Sequence, residues 1–190
     1  MAAPISSVVS AIQAKFKVLT KTEFRGETTL VVERTEIKEL SRFCKETLGF
    51  VFLLDLSGVD HFGQEPRFEV VYELYQLEQG LHLRLKISVS EDELEVPTVS
   101  DIWATADWHE RECFDMYGIK FAGHPDLTRI LMWEGYPFYP LRKDFPLAGR
   151  PSDMPDVAFS KAAPLAGGPF VTVPSTATTK DREPRSRQID

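Results

Sequence analysis

Residues 81–89 alternate without a break, with Leu81, Leu83, Leu85, Ile87 and Val89 on one face and His82, Arg84, Lys86 and Ser88 on the other. A period of two sustained over that length predicts a strand with one wet face. The run before it repeats the pattern in Phe68, Val70, Tyr72 and Leu74. A two-residue turn at Gln79 and Gly80 would set Leu74 against Leu85, Tyr72 against Ile87 and Glu73 against Lys86. Residues 50–56 supply a further strand. Residues 17–24 and 28–33 flank the turn residues Arg25, Gly26 and Glu27 and read as a hairpin, the second arm being rich in β-branched side chains.

Elsewhere the period changes to that of a helix. Ile5, Val8, Val9, Ile12 and Phe16 follow Pro4 at helical spacing. Leu40, Phe43, Cys44 and Leu48 share one face of a second helix over 37–48, which Gly49 ends. After an acidic loop at 91–95, Ser100 is placed to cap a third helical region over 101–117, with Gly118 as its stop. The order is helix, two strands, helix, three strands, helix. It predicts an α+β fold, a mixed β-sheet with helices on one side. Both periods fail after Pro146, where Pro151, Pro155, Pro164, Pro169, Pro174 and Pro184 interrupt small polar residues. The expected organisation is therefore an α+β domain over 1–147, followed by an extended, partner-wrapping or disordered tail over 148–190.

Composition narrows the function. A formal charge of -7 and a pI near 5.2 argue against binding nucleic acid, whose phosphates are neutralised by Lys and Arg. The longest apolar run, residues 50–54, is far shorter than the roughly 20 residues of a membrane span. The amino terminus lacks the basic and apolar regions of an export signal, and Cys44 and Cys113 read as reduced intracellular thiols.

Candidate chemistry gathers in residues 108–125, WHERECFDMYGIKFAGHP. Glu110, Glu112 and Asp115 with His109 or His124 offer acid-base groups for a hydrolase. On a helix, however, Glu110 and Glu112 point roughly 200° apart, and Asp115 follows Arg111 by four residues, the spacing of an ordinary ion pair. His109, Cys113 and His124 offer metal ligands, but two cysteines without a CxxC are a thin supply. No GxGxxG or GxxxxGK[ST] loop is present for a nucleotide or flavin. Trp103, Ala106, Cys113, Phe114 and Tyr117 form an apolar stripe that includes Glu110 if the helix is continuous. A carboxylate there needs a partner, with Arg129, Arg142 and Lys143 as candidates. A kink near Trp108 would instead leave Glu110 in solvent.

In order and spacing, Glu110-Arg111-Glu112, Asp115, Gly118, Phe121, Gly123-His124-Pro125-Asp126-Leu127, Arg129-Ile130-Leu131 and Pro140-Leu141-Arg142-Lys143-Asp144-Phe145-Pro146-Leu147 resemble the 30 kDa, or C-type, subunit family of respiratory complex I, the proton-translocating NADH:quinone oxidoreductase. The resemblance is carried by residues 103–147. It departs from the family at Thr128, where a basic residue commonly follows the His-Pro-Asp-Leu motif.

The resemblance implies a non-catalytic subunit of the peripheral arm, on the cytoplasmic side of the bacterial inner membrane and attached to the membrane only through the complex. It would dock on the large quinone-module subunit, with FMN and iron-sulfur clusters in partner subunits and no cofactor or metal of its own. Glu110, Arg111, Glu112, Asp115, Gly118, His124, Pro125, Arg129, Arg142, Lys143 and Asp144 would then be interface or structural residues. Two other readings stay open: the equivalent subunit of a related membrane-bound hydrogenase or ferredoxin/plastoquinone-type complex, and a free-standing hydrolase using Glu110, Glu112 and His124.

Overall fold

A computed structural model describes residues 5–146 of the chain. The expected tail over 148–190 lies outside the described residues. The first helix, α1 (Ile5–Gln13), buries Val8, Val9 and Ile12. Strands β1 (Val18–Phe24) and β2 (Glu27–Val32) follow, joined by Arg25 and Gly26, both at positive φ, as a tight hairpin turn requires. A 3-10 turn over Arg34–Glu36 leads into α2 (Ile37–Glu46). Strands β3 (Phe52–Asp60), β4 (Phe68–Gln76) and β5 (Leu81–Val89) complete a five-stranded sheet in the order β1-β2-β5-β4-β3. Every pair is antiparallel except β2 with β5, so the sheet is mixed.

One face of this sheet is apolar and buried: Leu30 and Val32, Leu53 and Leu56, Phe68 to Leu74 at alternate positions, and Leu83, Leu85, Ile87 and Val89. It forms a single core with Val8, Val9 and Ile12 of α1 and with Ile37, Leu40 and Cys44 of α2. The other face carries cross-strand ion pairs, Glu69 with Lys86 at 2.7 Å and Glu73 with Arg84. The α+β sheet with helices on one side is as the alternation predicts.

Four details differ. The β4–β5 loop spans residues 77–80, so Leu74 faces Leu83, Tyr72 faces Leu85 and Glu73 faces Arg84, a slip of two from the expected register. A slip of two preserves every inward and outward face, so hydrophobic patterning cannot distinguish the two registers. Strand β3 begins at Phe52 and runs to Asp60, with a bulge between Leu53 and Asp55. The bulge lets Leu53 and Leu56, three residues apart, both face the core, while Phe52 and Leu54 are exposed.

The third helix, α3, covers only Ala106–Tyr117, and Thr105 rather than Ser100 precedes it, without a side-chain cap. Residues 99–105 turn instead, because Ile102 and Trp103 are both buried and the Trp103 indole donates to the Phe50 carbonyl at 3.2 Å. Finally, β6 (Glu95–Pro97) and β7 (Lys120–Ala122) pair in parallel as a small second sheet. Each is three residues long, too short to show a period.

Candidate functional site

The helix α3 lies along β3. Thr105 Oγ1 donates to the Leu53 carbonyl at 3.3 Å, His109 Nδ1 is 3.4 Å from Asp55 Oδ1, and Cys113 Sγ reaches the Leu56 carbonyl at 3.8 Å. Ala106, Glu110 and Cys113 fall on the buried face at spacings of four and three. The helix is continuous through Trp108, so Glu110 is carried into the core and is fully buried.

Its partners are not the arginines or the lysine expected from the sequence. Glu110 Oε1 accepts the Val99 backbone N–H at 2.7 Å, and Oε2 meets the Thr98 hydroxyl, which also accepts the Ser100 N–H at 3.1 Å. On the other side, His124 Nε2 lies 3.9 Å from Glu110 Oε2, 3.2 Å from the Asp107 carbonyl and 3.3 Å from Asp107 Oδ1. His124 Nδ1 accepts the Asp126 N–H at 3.1 Å, which leaves the ring proton on Nε2, facing Asp107 and Glu110. Burial pushes the Glu110 carboxyl up to about 7. The Thr98 and Val99 hydrogen bonds pull the other way, and Asp107 and Asp101 add to the rise.

A second carboxylate, Asp115, is also fully buried. Its Oδ2 accepts three successive backbone N–H groups, from Ile130 at 3.0 Å, Leu131 at 2.7 Å and Met132 at 2.8 Å, while Oδ1 pairs with Arg129 Nη1 at 2.5 Å. The partner of Asp115 is therefore Arg129 and not Arg111. Arg111, one turn earlier, donates to the carbonyls of Thr128 at 3.1 Å and Arg129 at 3.3 Å. Residues four apart on α3 thus hold the two sides of one loop, Arg111 by its carbonyls and Asp115 by its amides. Thr128, the departure from the family pattern, is exposed and supplies only its carbonyl to this clamp.

At the carboxyl end of α3, Gly118 adopts φ +82, the left-handed conformation of a helix stop. A Cβ there would lie 2.7 Å from the Tyr139 ring and 2.9 Å from Arg142 Nη2. Arg142 stacks between Tyr139 and Phe68, at 4.6 and 5.1 Å from their ring centres, and Nε donates to the Tyr117 carbonyl at 2.7 Å. Glu91 lies 3.5 Å from Arg142 and 2.8 Å from the buried Arg67, which grips Asp60 through two bonds of 2.9 Å. Glu112 and Pro125 are exposed, as are Lys143 and Asp144, which open a second unit over 143–190.

The hydrolase set is not assembled, because Glu110 and the His124 ring are buried while Glu112 is exposed. Nor do the candidate metal ligands converge: His109 turns to Asp55, Cys113 to the Leu56 carbonyl, and burial pushes the Cys113 thiol up, away from the thiolate a metal would need. Among the described residues, no three His, Cys, Asp or Glu side chains are grouped to hold a metal ion. What the arrangement can do is fix backbone. Thr98, Val99, Asp107 and the Arg67–Asp60–Glu91 chain belong to it and were missed from sequence, because a donor amide leaves no mark on composition. Tyr72, whose buried hydroxyl has no hydrogen-bond partner among the described residues, lies close enough for Glu110 and Cys113 to add to the upward push of burial on its phenol.

Comparison with known proteins agrees with the motif. Residues 30–151 match the family described as respiratory-chain NADH dehydrogenase, 30 Kd subunit. A C-type subunit of the NADH-quinone oxidoreductase of Rhizobium etli is 52% identical over 126 residues, 65% of this chain and 67% of that protein. The C-type subunit of the Geotalea uraniireducens enzyme is 44% identical over 143 residues, 74% of this chain and 87% of its own. Among solved structures, the trypsin-resistant fragment of Nqo5 superposes with a TM-score of 0.58 at 34% identity, covering 65% of this chain and 98% of the fragment. A chain of the membrane-bound sulfane sulfur reductase, an archaeal respiratory membrane complex, superposes with a TM-score of 0.64 at 28% identity, over 76% of this chain and 86% of its own.

Proposed function

The chain belongs to the respiratory-chain NADH dehydrogenase 30 kDa subunit family, and from that premise we propose that it is a docking subunit of an NADH:quinone oxidoreductase-type complex, contributing shape and not catalytic groups. In this reading electrons pass from NADH through FMN and iron-sulfur clusters to quinone, all held by partner subunits. The chain sits in the peripheral arm against the large quinone-module subunit, on the cytoplasmic side of the membrane, in a complex coupled to proton translocation. In this reading attachment to the membrane goes through partners; among the described residues no helix is long and apolar enough to cross a membrane.

One observation carries the reading: Glu110, Arg111 and Asp115 of α3, with Arg142 beyond it, are spent on the chain's own backbone. Glu110 takes the Val99 amide, Asp115 takes three amides, and Arg111 and Arg142 take carbonyls. A catalytic constellation aims polar groups at an open space where substrate sits. Here they set the course of residues 98–142, whose outward surface includes Trp108, Leu131 and Leu141, all exposed. Buried polar residues that fix a surface, with apolar side chains displayed on it, suit a stable protein interface.

Affinity purification of the tagged chain from its native host tests this. It should bring down a large complex with NADH:quinone oxidoreductase activity, while the isolated chain shows neither flavin nor cluster absorbance. Recovery of the chain alone, or a stoichiometric redox cofactor in the pure chain, would overturn the proposal. The likeness to a chain of the sulfane sulfur reductase favours a second reading, the same docking role in a related membrane complex with another electron donor or acceptor, including hydrogenase or ferredoxin/plastoquinone types. The partners recovered in the same purification decide between them.

A further inference from the structure

The loop over residues 61–66, between β3 and β4, is closed by two backbone bonds, from His61 N–H to the Arg67 carbonyl at 2.8 Å and from Gln64 N–H to the His61 carbonyl at 2.9 Å. At its tip Phe62 is 60% exposed, yet its ring is not loose, because the Arg67 guanidinium lies 5.0 Å from its centre. Arg67 in turn is fixed by its two bonds to Asp60 and a third to Glu91. The pairing of ring with guanidinium continues inward. Arg67 lies 4.8 Å from the Phe68 centre, Arg142 reaches both Phe68 and Tyr139, and Arg129 lies 5.2 Å from the Tyr139 centre. Phe62, Arg67, Phe68, Arg142, Tyr139 and Arg129 therefore form one alternating column, running from the loop tip to the Asp115 clamp. Each step is attractive, since the face of an aromatic ring is negative.

Two regularities in the column define what its outer end takes. Phe68 and Tyr139 each meet two guanidinium groups, whereas Phe62 meets one and leaves most of its surface to solvent. Each guanidinium also has a carboxylate: Asp60 and Glu91 for Arg67, Glu91 for Arg142, and Asp115 for Arg129. At the tip, carboxylates remain over. Glu65, in the same loop as Phe62, and Asp92, next to Glu91, are exposed and have no cation partner among the described residues. An apolar partner would desolvate these carboxylates without pairing them, and an acidic one would be repelled. We infer that Phe62 receives an arginine of a partner subunit, which stacks on the ring and pairs with Glu65 or Asp92, extending the column across the interface. Arginine fits better than lysine, because a planar guanidinium can stack on a ring and bond a carboxylate at the same time. The inference rests on the subunit reading above.

The test uses the assembled complex. A photo-reactive benzoylphenylalanine replaces the exposed Gln64, and separate preparations carry mono-, di- or trifluorophenylalanine at position 62, which keep the shape of the ring while draining negative charge from its face. Irradiation should join position 64 to a single partner subunit, at a peptide with an arginine within a few residues of the adduct. The yield should fall stepwise with fluorination, about fivefold or more at the trifluoro ring, and Glu65→Gln combined with Asp92→Asn should lower it several-fold as well. The melt of the isolated chain should stay level across the series, because Asp60 and Glu91 hold Arg67 whatever the ring carries. No adduct, an adduct confined to this chain or to lipid, a joined peptide without arginine, or a yield indifferent to fluorination or to the loss of both carboxylates overturns the inference. A yield that falls only in step with a falling melt also overturns it, since the ring would then serve the fold alone. Each of these leaves the subunit reading intact, since that reading fails only if no complex is recovered.

Discussion

Glu110 ties stability to pH. Its ordinary value of 4.5 rises to about 7 because burial disfavours the charge, so the folded chain holds a proton there that the unfolded chain releases. The contribution to stability is therefore fully present below about pH 4.5 and is lost as pH rises toward 7, to the extent of about 3 kcal/mol. The titratable groups facing it are Asp107 on its own helix, Asp101 before the helix, and His124 from the loop after β7, with Tyr72 of β4 alongside. Glu110→Gln keeps an acceptor for the Val99 N–H and offers a donor to Thr98 Oγ1, so it imitates the protonated acid. Urea midpoints measured between pH 5 and 8 should fall with pH in the parent and stay nearly level in Glu110→Gln, which should be the more stable of the two at pH 8. Equal slopes would mean that Glu110 is ionised throughout. Asp115 is held differently, by three backbone amides and the Arg129 guanidinium. Asp115→Asn leaves Arg129, itself largely buried, without its counter-charge and should cost about 3–5 kcal/mol in urea unfolding. Removing Arg129 as well, as Met, should recover part of that loss, whereas simple additivity would mean the pair is not coupled.

The clamp extends to whole elements at Gly118, where the end of α3, the returning segment 139–142 and β4 meet. Leu141 N–H donates to the Met116 carbonyl at 3.2 Å and Arg142 spans Tyr117, Tyr139 and Phe68, so the turn at Gly118 sets where the return begins. Gly118→Ala should cost at least about 2 kcal/mol, combining left-handed strain with an overpacked contact on Tyr139. Hydrogen exchange should rise at Leu141 and Arg142 before it rises in β4 and β5; uniform exchange would place the defect in the core instead. Gly118 was legible as a helix stop, and the alternation of 81–89 made one strand unmistakable, because those signals are periodic or conformational. The β4–β5 register was not, since shifts of two leave the buried face unchanged. The arginines at 129 and 142 stood out as charge partners, yet Glu110 found the amide of Val99 and the hydroxyl of Thr98 instead. Main-chain donors occur at every residue, so no sequence pattern reports which of them a carboxylate takes.

At the scale of the molecule, the 30–151 match ends just beyond the described residues, and the proline-interrupted sequence past that point is the part expected to wrap a partner. Its larger apolar residues, among them Phe159, Leu165, Phe170 and Val171, are too few for a core of their own but suit separate pockets on another protein. Prolines remove amide donors and fix φ, which lowers the entropy lost when an extended segment is bound. Ordering the remaining residues still costs roughly 1–2 kcal/mol each, so retention by the complex has to come from many contacts spread along the segment. By contrast, the sheet, α1, α2 and α3 share one buried cluster among the described residues. A chain ending at Leu147 should therefore melt in the same cooperative transition as the full chain, while being lost from the complex at lower salt or detergent. Replacing only Phe159, Leu165, Phe170 and Val171 with Ser should produce the same loss of retention, because the tail's length would then be unchanged and only these anchors removed. If truncation abolishes the cooperative melt, the tail is part of the core. If truncated and full-length chains are retained equally, the folded domain alone carries the docking, and the exposed apolar residues on it become the whole of the interface.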